Sequence, residues 1–116
     1  MLKKGLASVS NRYILPEPTE NSKPSWFGFL ITLKENSGIS RNDLVSKLTE
    51  AKIATRLLFA GDIWKQPYFK NEKFRVAGDM KNTDTILNNT FWIGVTPMIN
   101  DQMVDYVIEK FHEFLS

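Results

Sequence analysis

The segment from Thr55 to Phe69 carries the residues best suited to binding a polar ligand. Its sequence, TRLLFAGDIWKQPYF, begins as a strand pattern and continues into a loop with Gly, Asp, Gln and Tyr. Side chains alternate along a strand, so Arg56 would lie on the face opposite to Ile53, Leu57 and Phe59. Its guanidinium offers a planar fork that matches carboxylate or phosphate oxygens. The alternative is a surface arginine and a solvated loop, which the pattern alone slightly favours.

No complete set of catalytic residues is apparent. The one histidine, His112, falls in the last turn of the predicted final helix, where the helix dipole favours a cation, so a structural role is favoured over a catalytic one. Cysteine is absent, which excludes thiolate metal sites and iron–sulfur ligands within the chain. The sequence also contains no phosphate-binding glycine loop and no nucleophile elbow. We therefore expect no catalytic residue and no metal site in this chain.

Composition and charge are those of an ordinary globular domain. The 116 residues are 42% hydrophobic and 24% charged, which fits a single domain with its own core. The net charge of +2 comes from 15 basic and 13 acidic residues that are interspersed, so nucleic acid is not an expected partner. No apolar run approaches the roughly 20 residues of a membrane helix. The chain start also lacks the apolar stretch of a signal peptide, so we expect a cytoplasmic location and no membrane contact.

Periodicity predicts the elements that would position the candidate residues. Strands are predicted at residues 26–34, 53–59 and 91–95, and helices at 41–51, at 83–89 and after Asn100. Ser40, Asn82 and Asn100 are the predicted N-caps. Residues 60–81 are irregular and long for a connection, which is typical of functional loops. This order predicts an α/β (α+β) fold: a small two-layer sandwich with a sheet of three or more strands and helices on one face.

Most large apolar side chains are predicted to form the core rather than a stacking platform for nucleic acid. This applies to five aromatic residues: Trp26, Phe27, Phe29, Phe91 and Trp92. It also applies to a stripe on the last helix: Met103, Val104, Val107, Ile108, Phe111 and Leu115. Gly28 would lie on the other face of its strand, where another backbone or a ligand could approach closely.

Four motifs occur in order along the chain: PSWFGF at residues 24–29, TRLLFAGD at 55–62, QPYF at 66–69 and NTFWIGV at 89–95. Together they resemble the C-terminal part of the CDP-4-keto-6-deoxy-D-glucose 3-dehydratases. These enzymes belong to the sugar aminotransferase-like, pyridoxal-phosphate-dependent family and make 3,6-dideoxysugar precursors for the lipopolysaccharide O-antigen. The resemblance spans nearly the whole chain.

The resemblance implies a division of the chain at its proline-rich stretch. Residues 1–25 would be a connector and the tail of an interdomain helix ending at Gly5. Residues 26–116 would be a C-terminal small domain like that of fold-type I pyridoxal-phosphate enzymes. In this family the large domain holds pyridoxal or pyridoxamine phosphate and the catalytic base, and some members carry a [2Fe-2S] cluster. This chain would therefore hold no cofactor itself and would be inactive alone.

The resemblance also implies a substrate site. The small domain would close over a nucleotide sugar, a CDP-sugar, in a homodimeric parent enzyme. The implied substrate-binding residues are Arg56, Phe59, Gly61, Asp62 and Gln66. Arg56 would pair with the pyrophosphate and Gln66 with a sugar hydroxyl, whereas Asp62 stands where related dehydratases have Asn and would repel an anion.

Two alternatives stay open at this point. One is a nucleotide-sugar aminotransferase of the same family, although the loop between Arg56 and Gln66 lacks the histidine that those enzymes have there. The other is a stand-alone binding module.

Overall fold

The computed structural model describes residues 1–115, in which short strands form one antiparallel sheet. The strands are β1 (Tyr13–Ile14), β2 (Gly28–Leu33), β3 (Thr55–Leu57) and β4 (Thr90–Gly94), in the order β1-β2-β4-β3. The helices are α1 (Leu2–Gly5), α2 (Arg41–Glu50), α3 (Lys81–Asn89) and α4 (Asp101–Leu115). The predicted small α+β fold is confirmed.

The hydrophobic core lies between one face of the sheet and the helices α2 and α4. On that face Ile31 of β2 is paired with Phe91 of β4, and the ring of Phe91 stacks on Phe111 of α4 with centroids 6.4 Å apart. The buried apolar residues are Leu6, Tyr13, Ile31, Leu33, Leu44, Leu48, Ile53, Phe91, Ile93, Phe111 and Leu115. Every strand except β3, and both long helices, therefore contribute to one continuous core.

Local capping sets two of the three predicted helix starts. The Ser40 hydroxyl accepts a hydrogen bond from the backbone N–H of Asp43 at 3.1 Å, and Asn100 Oδ1 accepts one from Met103 at 2.9 Å. The prediction that Asn82 caps the third helix is wrong, because α3 already begins at Lys81. The Lys81 N–H is instead satisfied by Asp79 Oδ1 at 3.1 Å.

The N-terminal segment takes part in the core, which the sequence pattern does not indicate. Helix α1 ends at Gly5 as expected, and Leu6 is then fully buried. Strand β1 pairs Tyr13 with Leu33 at the edge of the sheet. The proline-containing stretch of residues 16–25 that follows β1 is mostly exposed and has no regular structure.

We expect ionisation of Tyr13 to lower the stability of the fold at alkaline pH. Its hydroxyl donates to the Leu6 carbonyl in the core, and burial raises the pKa of Tyr13 to about 12 from 10.0. Between these values the unfolded chain releases the phenolic proton and the folded chain keeps it. The free energy of unfolding should therefore fall as pH rises from 10 to 12, by about 1 kcal/mol per pH unit.

Urea unfolding over this pH range would measure the slope, with Tyr13→Phe as the control. The two proteins differ only at residue 13, so the difference between their slopes isolates Tyr13. Equal slopes would contradict the prediction.

Several of the predicted core residues lie elsewhere. Trp92 lies on the face of β4 opposite to the buried Phe91 and Ile93. Trp26 and Phe27 are 40% and 81% exposed, because β2 begins only at Gly28 and both precede it. Met103 is 53% exposed, since it lies in the first turn of α4, two turns before the buried Phe111. Phe29 and Phe91 pack in or against the core as predicted.

Candidate functional site

The sheet face opposite the core carries an open groove of about 550 Å³. Residues opposite one another in antiparallel strands share a face, and Trp92 of β4 lies opposite both Leu30 of β2 and Arg56 of β3. These three side chains therefore form a row across this second face. We call the depression the aromatic groove; its walls include Trp26, Phe27, Leu30, Phe59, Ile86 and Trp92.

Gly28 allows the floor of the aromatic groove to form. A Cβ at this position would overlap the indole ring of Trp92, so the ring lies directly against the glycine backbone. Phe27 then packs on the same indole, with ring centroids 5.0 Å apart at 47°. A group does approach Gly28 closely, but it is the Trp92 side chain and not the predicted backbone or ligand.

The rim of the groove is unusually apolar for a surface. Phe59 is 91% exposed, and Phe27, Trp26 and Ile63 are also exposed beside it. Exposed aromatic residues gathered around one concavity are typical of a binding surface. The helix α3 contributes to the same surface through Ile86, so it reaches the sheet face that α2 and α4 leave open.

The rim residue Phe59 belongs to a tight loop after β3. Phe59 and Gly61 both have left-handed backbone conformations, with φ of 40° and 60°. The N–H groups of Phe59 and Gly61 donate to the carbonyls of Leu57 and Leu58, each at 2.9 Å. Gln66 Nε2 donates to the Ala60 carbonyl at 2.6 Å, which joins the end of the loop to its tip. These bonds hold the Phe59 ring out into solvent.

Asp62 lies beneath this loop and is only 1% exposed. Its Oδ1 accepts a hydrogen bond from Trp64 Nε1 at 2.9 Å, and its Oδ2 is 3.5 Å from Lys65 Nζ. The same ammonium group binds Asp84 of α3. This hydrogen bond raises the pKa of Lys65 and lowers the pKa of Asp84. We call Asp62, Trp64, Lys65 and Asp84 the loop clamp.

The five predicted site residues occupy three kinds of position: two line the groove, one lies at its edge, and two support the loop. Phe59 and Gly61 line the aromatic groove, and Arg56 is exposed at its edge beside Trp92. Gln66 and Asp62 support the loop from within, through Ala60 and through the loop clamp. The contacts of all five with a substrate stay predictions.

Sequence reasoning assigned three of the groove walls, Trp26, Phe27 and Trp92, to the core. The signal was nevertheless present in β2, where Leu30 alternates with Phe29 and Ile31. A strand that is apolar on both faces needs a partner on each of them. In this chain the second face of β2 borders the open groove.

His112 contacts the N-terminal segment of the chain. Its Nε2 lies 2.8 Å from the Gly5 carbonyl, which accepts a hydrogen bond from it and links α4 to the end of α1. Within residues 1–115 no cluster of three His, Cys, Asp or Glu side chains could hold a metal ion. None of the helices in that range combines the length and apolar character needed to cross a bilayer.

Two curated relatives match almost the whole chain. The lipopolysaccharide biosynthesis protein RfbH of Salmonella typhimurium is 58% identical over 113 residues, which are 97% of this chain and 26% of that protein. The dTDP-4-dehydro-2,6-dideoxy-D-glucose 3-dehydratase of Saccharopolyspora spinosa is 44% identical over 115 residues, 99% of this chain and 25% of that protein. The chain thus spans about a quarter of the length of these relatives.

Solved structures share the fold. The GDP-4-keto-6-deoxy-D-mannose-3-dehydratase of E. coli, with bound hydrated pyridoxal phosphate, superposes with a TM-score of 0.80 at 24% identity, covering 94% of this chain and 28% of that one. DesV of S. venezuelae, in complex with a ketimine intermediate, has a TM-score of 0.79 at 18% identity, covering 99% and 29%. Residues 1–112 match the DegT/DnrJ/EryC1/StrS aminotransferase family. The chain belongs to the DegT/DnrJ/EryC1/StrS aminotransferase family.

Proposed function

We propose that this chain is the substrate-closing C-terminal part of a pyridoxal-phosphate-dependent nucleotide-sugar 3-dehydratase that makes 3,6-dideoxysugar precursors for lipopolysaccharide. We also propose that the chain is inactive alone. The 58% identity to a lipopolysaccharide biosynthesis protein and the 44% identity to a 3-dehydratase support this assignment. The observation that carries it is the aromatic groove with Arg56 at its edge.

The chemistry of this surface matches a nucleotide sugar. Such a substrate combines a flat base, a sugar ring with an apolar face, and an anionic diphosphate. Exposed aromatic rings such as Phe59 can pack on the flat parts. The exposed guanidinium of Arg56 can pair with diphosphate oxygens through two parallel hydrogen bonds. Gln66 Nε2 is engaged by Ala60, which leaves its Oε1 to accept from a sugar hydroxyl.

The described residues do not fit pyridoxal phosphate by themselves. The walls of the aromatic groove are apolar and include no cation to pair with the cofactor phosphate and no lysine to bond its aldehyde. We therefore propose that the remainder of the parent enzyme holds the cofactor. A [2Fe-2S] cluster in the parent would also depend on that remainder, because this chain has no cysteine. A homodimeric parent, a cytoplasmic location and CDP as the nucleotide complete the proposal.

Replacing Arg56 by alanine in the full-length protein should raise the KM for the nucleotide sugar by roughly tenfold to a hundredfold. This is the effect of losing a charge-assisted pair of hydrogen bonds worth about 1.5 to 3 kcal/mol. Steady-state kinetics with a CDP-linked 4-keto-6-deoxy sugar would measure it. Lys52→Ala is the control, because Lys52 is an exposed cation that lies shortly before Arg56 in the sequence and does not line the groove. Unchanged kinetics for Arg56→Ala would remove Arg56 from the site.

The runner-up is a nucleotide-sugar aminotransferase, which the family name and the fold of DesV support. The same kinetic assay separates the two. A dehydratase removes the 3-hydroxyl without incorporating nitrogen, whereas an aminotransferase consumes an amino donor and yields an amino sugar. An amino-sugar product would overturn the dehydratase proposal.

A further inference from the structure

Asp62 occupies an energetically unfavourable position for a carboxylate. A charge with 1% exposure is costly unless hydrogen bonds and an opposite charge offset its loss of hydration. Oδ1 has the indole N–H of Trp64, whereas within residues 1–115 Oδ2 has no hydrogen-bond partner and lies 3.5 Å from the Lys65 ammonium group. An incompletely satisfied buried group calls for an explanation.

A second unfavourable feature is the backbone conformation of Phe59, three residues before Asp62. A bulky residue other than glycine at φ 40° is strained, and such strain persists only where the surroundings enforce it. The Phe59 ring gains nothing from burial in this chain, because it is almost wholly in solvent. The energy that holds Phe59 in this conformation must therefore come from the rest of the loop.

The loop clamp provides that restraint. Lys65 lies between two carboxylates, Asp62 on its own loop and Asp84 on α3, and thereby fastens the loop to a helix. Its ammonium group also lies 5.2 Å from the centre of the Trp64 ring, whose N–H is bound to Asp62. Residues 62–65 are thus fixed on α3, and residues 59–61, which precede them, line the aromatic groove.

We propose that Asp62 is a positioning residue: its buried carboxylate fixes residues 58–66 on α3 and so holds Phe59 and Gly61 at the groove. Asp62 acts through Trp64 and Lys65 and does not touch the ligand, because it is 1% exposed and does not line the aromatic groove. This role accounts for an acid close to a site suited to an anion, since the Lys65 ammonium group 3.5 Å away offsets its charge. The effect on substrate binding rests on the proposed function, whereas the effect on the loop does not.

Hydrogen exchange of the 116-residue chain, followed by NMR, tests the loop directly. In Asp62→Ala the amides of residues 58–66 should exchange at least tenfold faster, while those of β2, β4 and α4 stay unchanged. The Trp64 indole proton should also shift upfield as its hydrogen bond is lost. Asp62→Asn keeps the acceptor but not the charge, so it should preserve the indole shift and accelerate loop exchange less. Asp105→Asn, an exposed acid on α4, is the control.

Two results would overturn the inference. Loop exchange that stays unchanged in both Asp62 variants would show that the carboxylate does not fix the loop. Exchange that accelerates equally throughout the chain would show a general loss of stability instead of positioning. Asparagine is close in shape to aspartate, so Asp62→Asn should fold and can test the inference if Asp62→Ala does not fold.

Kinetics of the full-length protein then separate this inference from the proposed function. With a CDP-linked 4-keto-6-deoxy sugar, Asp62→Asn should raise KM about fivefold or more and leave kcat within twofold, because the loop would position the substrate and not the reacting groups. Accelerated loop exchange with an unchanged KM would retain the positioning of the loop and would remove the loop from the substrate site.

Discussion

Replacing Phe91 by alanine should lower the free energy of unfolding by about 3 to 5 kcal/mol. Phe91 of β4 is fully buried, and its ring stacks on Phe111 of α4. Its register partner on the neighbouring strand β2 is Ile31, which is also fully buried. Truncation therefore leaves a cavity where the sheet meets the helix layer. Small domains have a total free energy of unfolding of about 5 to 15 kcal/mol, so this loss would remove a large part of it.

Urea unfolding followed by circular dichroism would measure this loss. The matched control is Phe59→Ala, which removes the same side chain from a site that is 91% exposed and should change stability by about 0.5 kcal/mol or less. Similar losses for both variants would contradict the placement of the core on the helix-covered face.

Replacing Gly28 by valine should cost about 3 kcal/mol, at the upper end of the range for overpacking. Even the first carbon of the new side chain would overlap the indole of Trp92, and a rigid ring cannot yield as an aliphatic chain does. The indole must leave the floor of the aromatic groove. The variant should therefore lose stability and also lose the packing of Phe27 on Trp92.

Gly94→Val is the matched control for this variant. Gly94 is the register partner of Gly28, but nothing lies within 4 Å of the position that its Cβ would take. A valine there should change the unfolding free energy by about 0.5 kcal/mol or less. Equal losses at Gly28 and Gly94 would argue against a closed contact between Gly28 and Trp92.

These two variants separate the roles of the two sheet faces. The face of Ile31 and Phe91 is closed by α2 and α4 and supplies stability. The face of Leu30 and Trp92 stays open between α3 and the loop after β3, and it carries the aromatic groove that we propose as a binding surface. The same short strands thus serve both purposes through the alternation of their side chains.

Local signals in the sequence predicted most of the elements. Ser40 and Asn100 cap their helices because a side-chain oxygen needs only the next turn as its partner. Strands β2 and β4 lie within two residues of their predicted ends. The second predicted strand, 53–59, is shorter than expected, since β3 pairs only over Thr55–Leu57 before the backbone turns at Phe59.

Contacts between distant segments could not be predicted in this way. Strand β1 exists because Tyr13 finds Leu33, and its two residues carry no strand pattern of their own. Trp26 and Phe27 have the composition of core residues, yet their exposure depends on where β2 starts and on which face α2 and α4 cover.

The segment from Thr55 to Phe69 likewise combines features set by local sequence with features set by contacts between distant segments. Its sequence by itself determined that a cation on a strand precedes a polar loop, because residue types and alternation are local properties. Only the tertiary structure decided that Arg56 borders an aromatic groove and that Asp62 is buried against Trp64 and Lys65. The burial of a charge depends on partners such as Asp84, which folding brings from α3 and which no local pattern encodes.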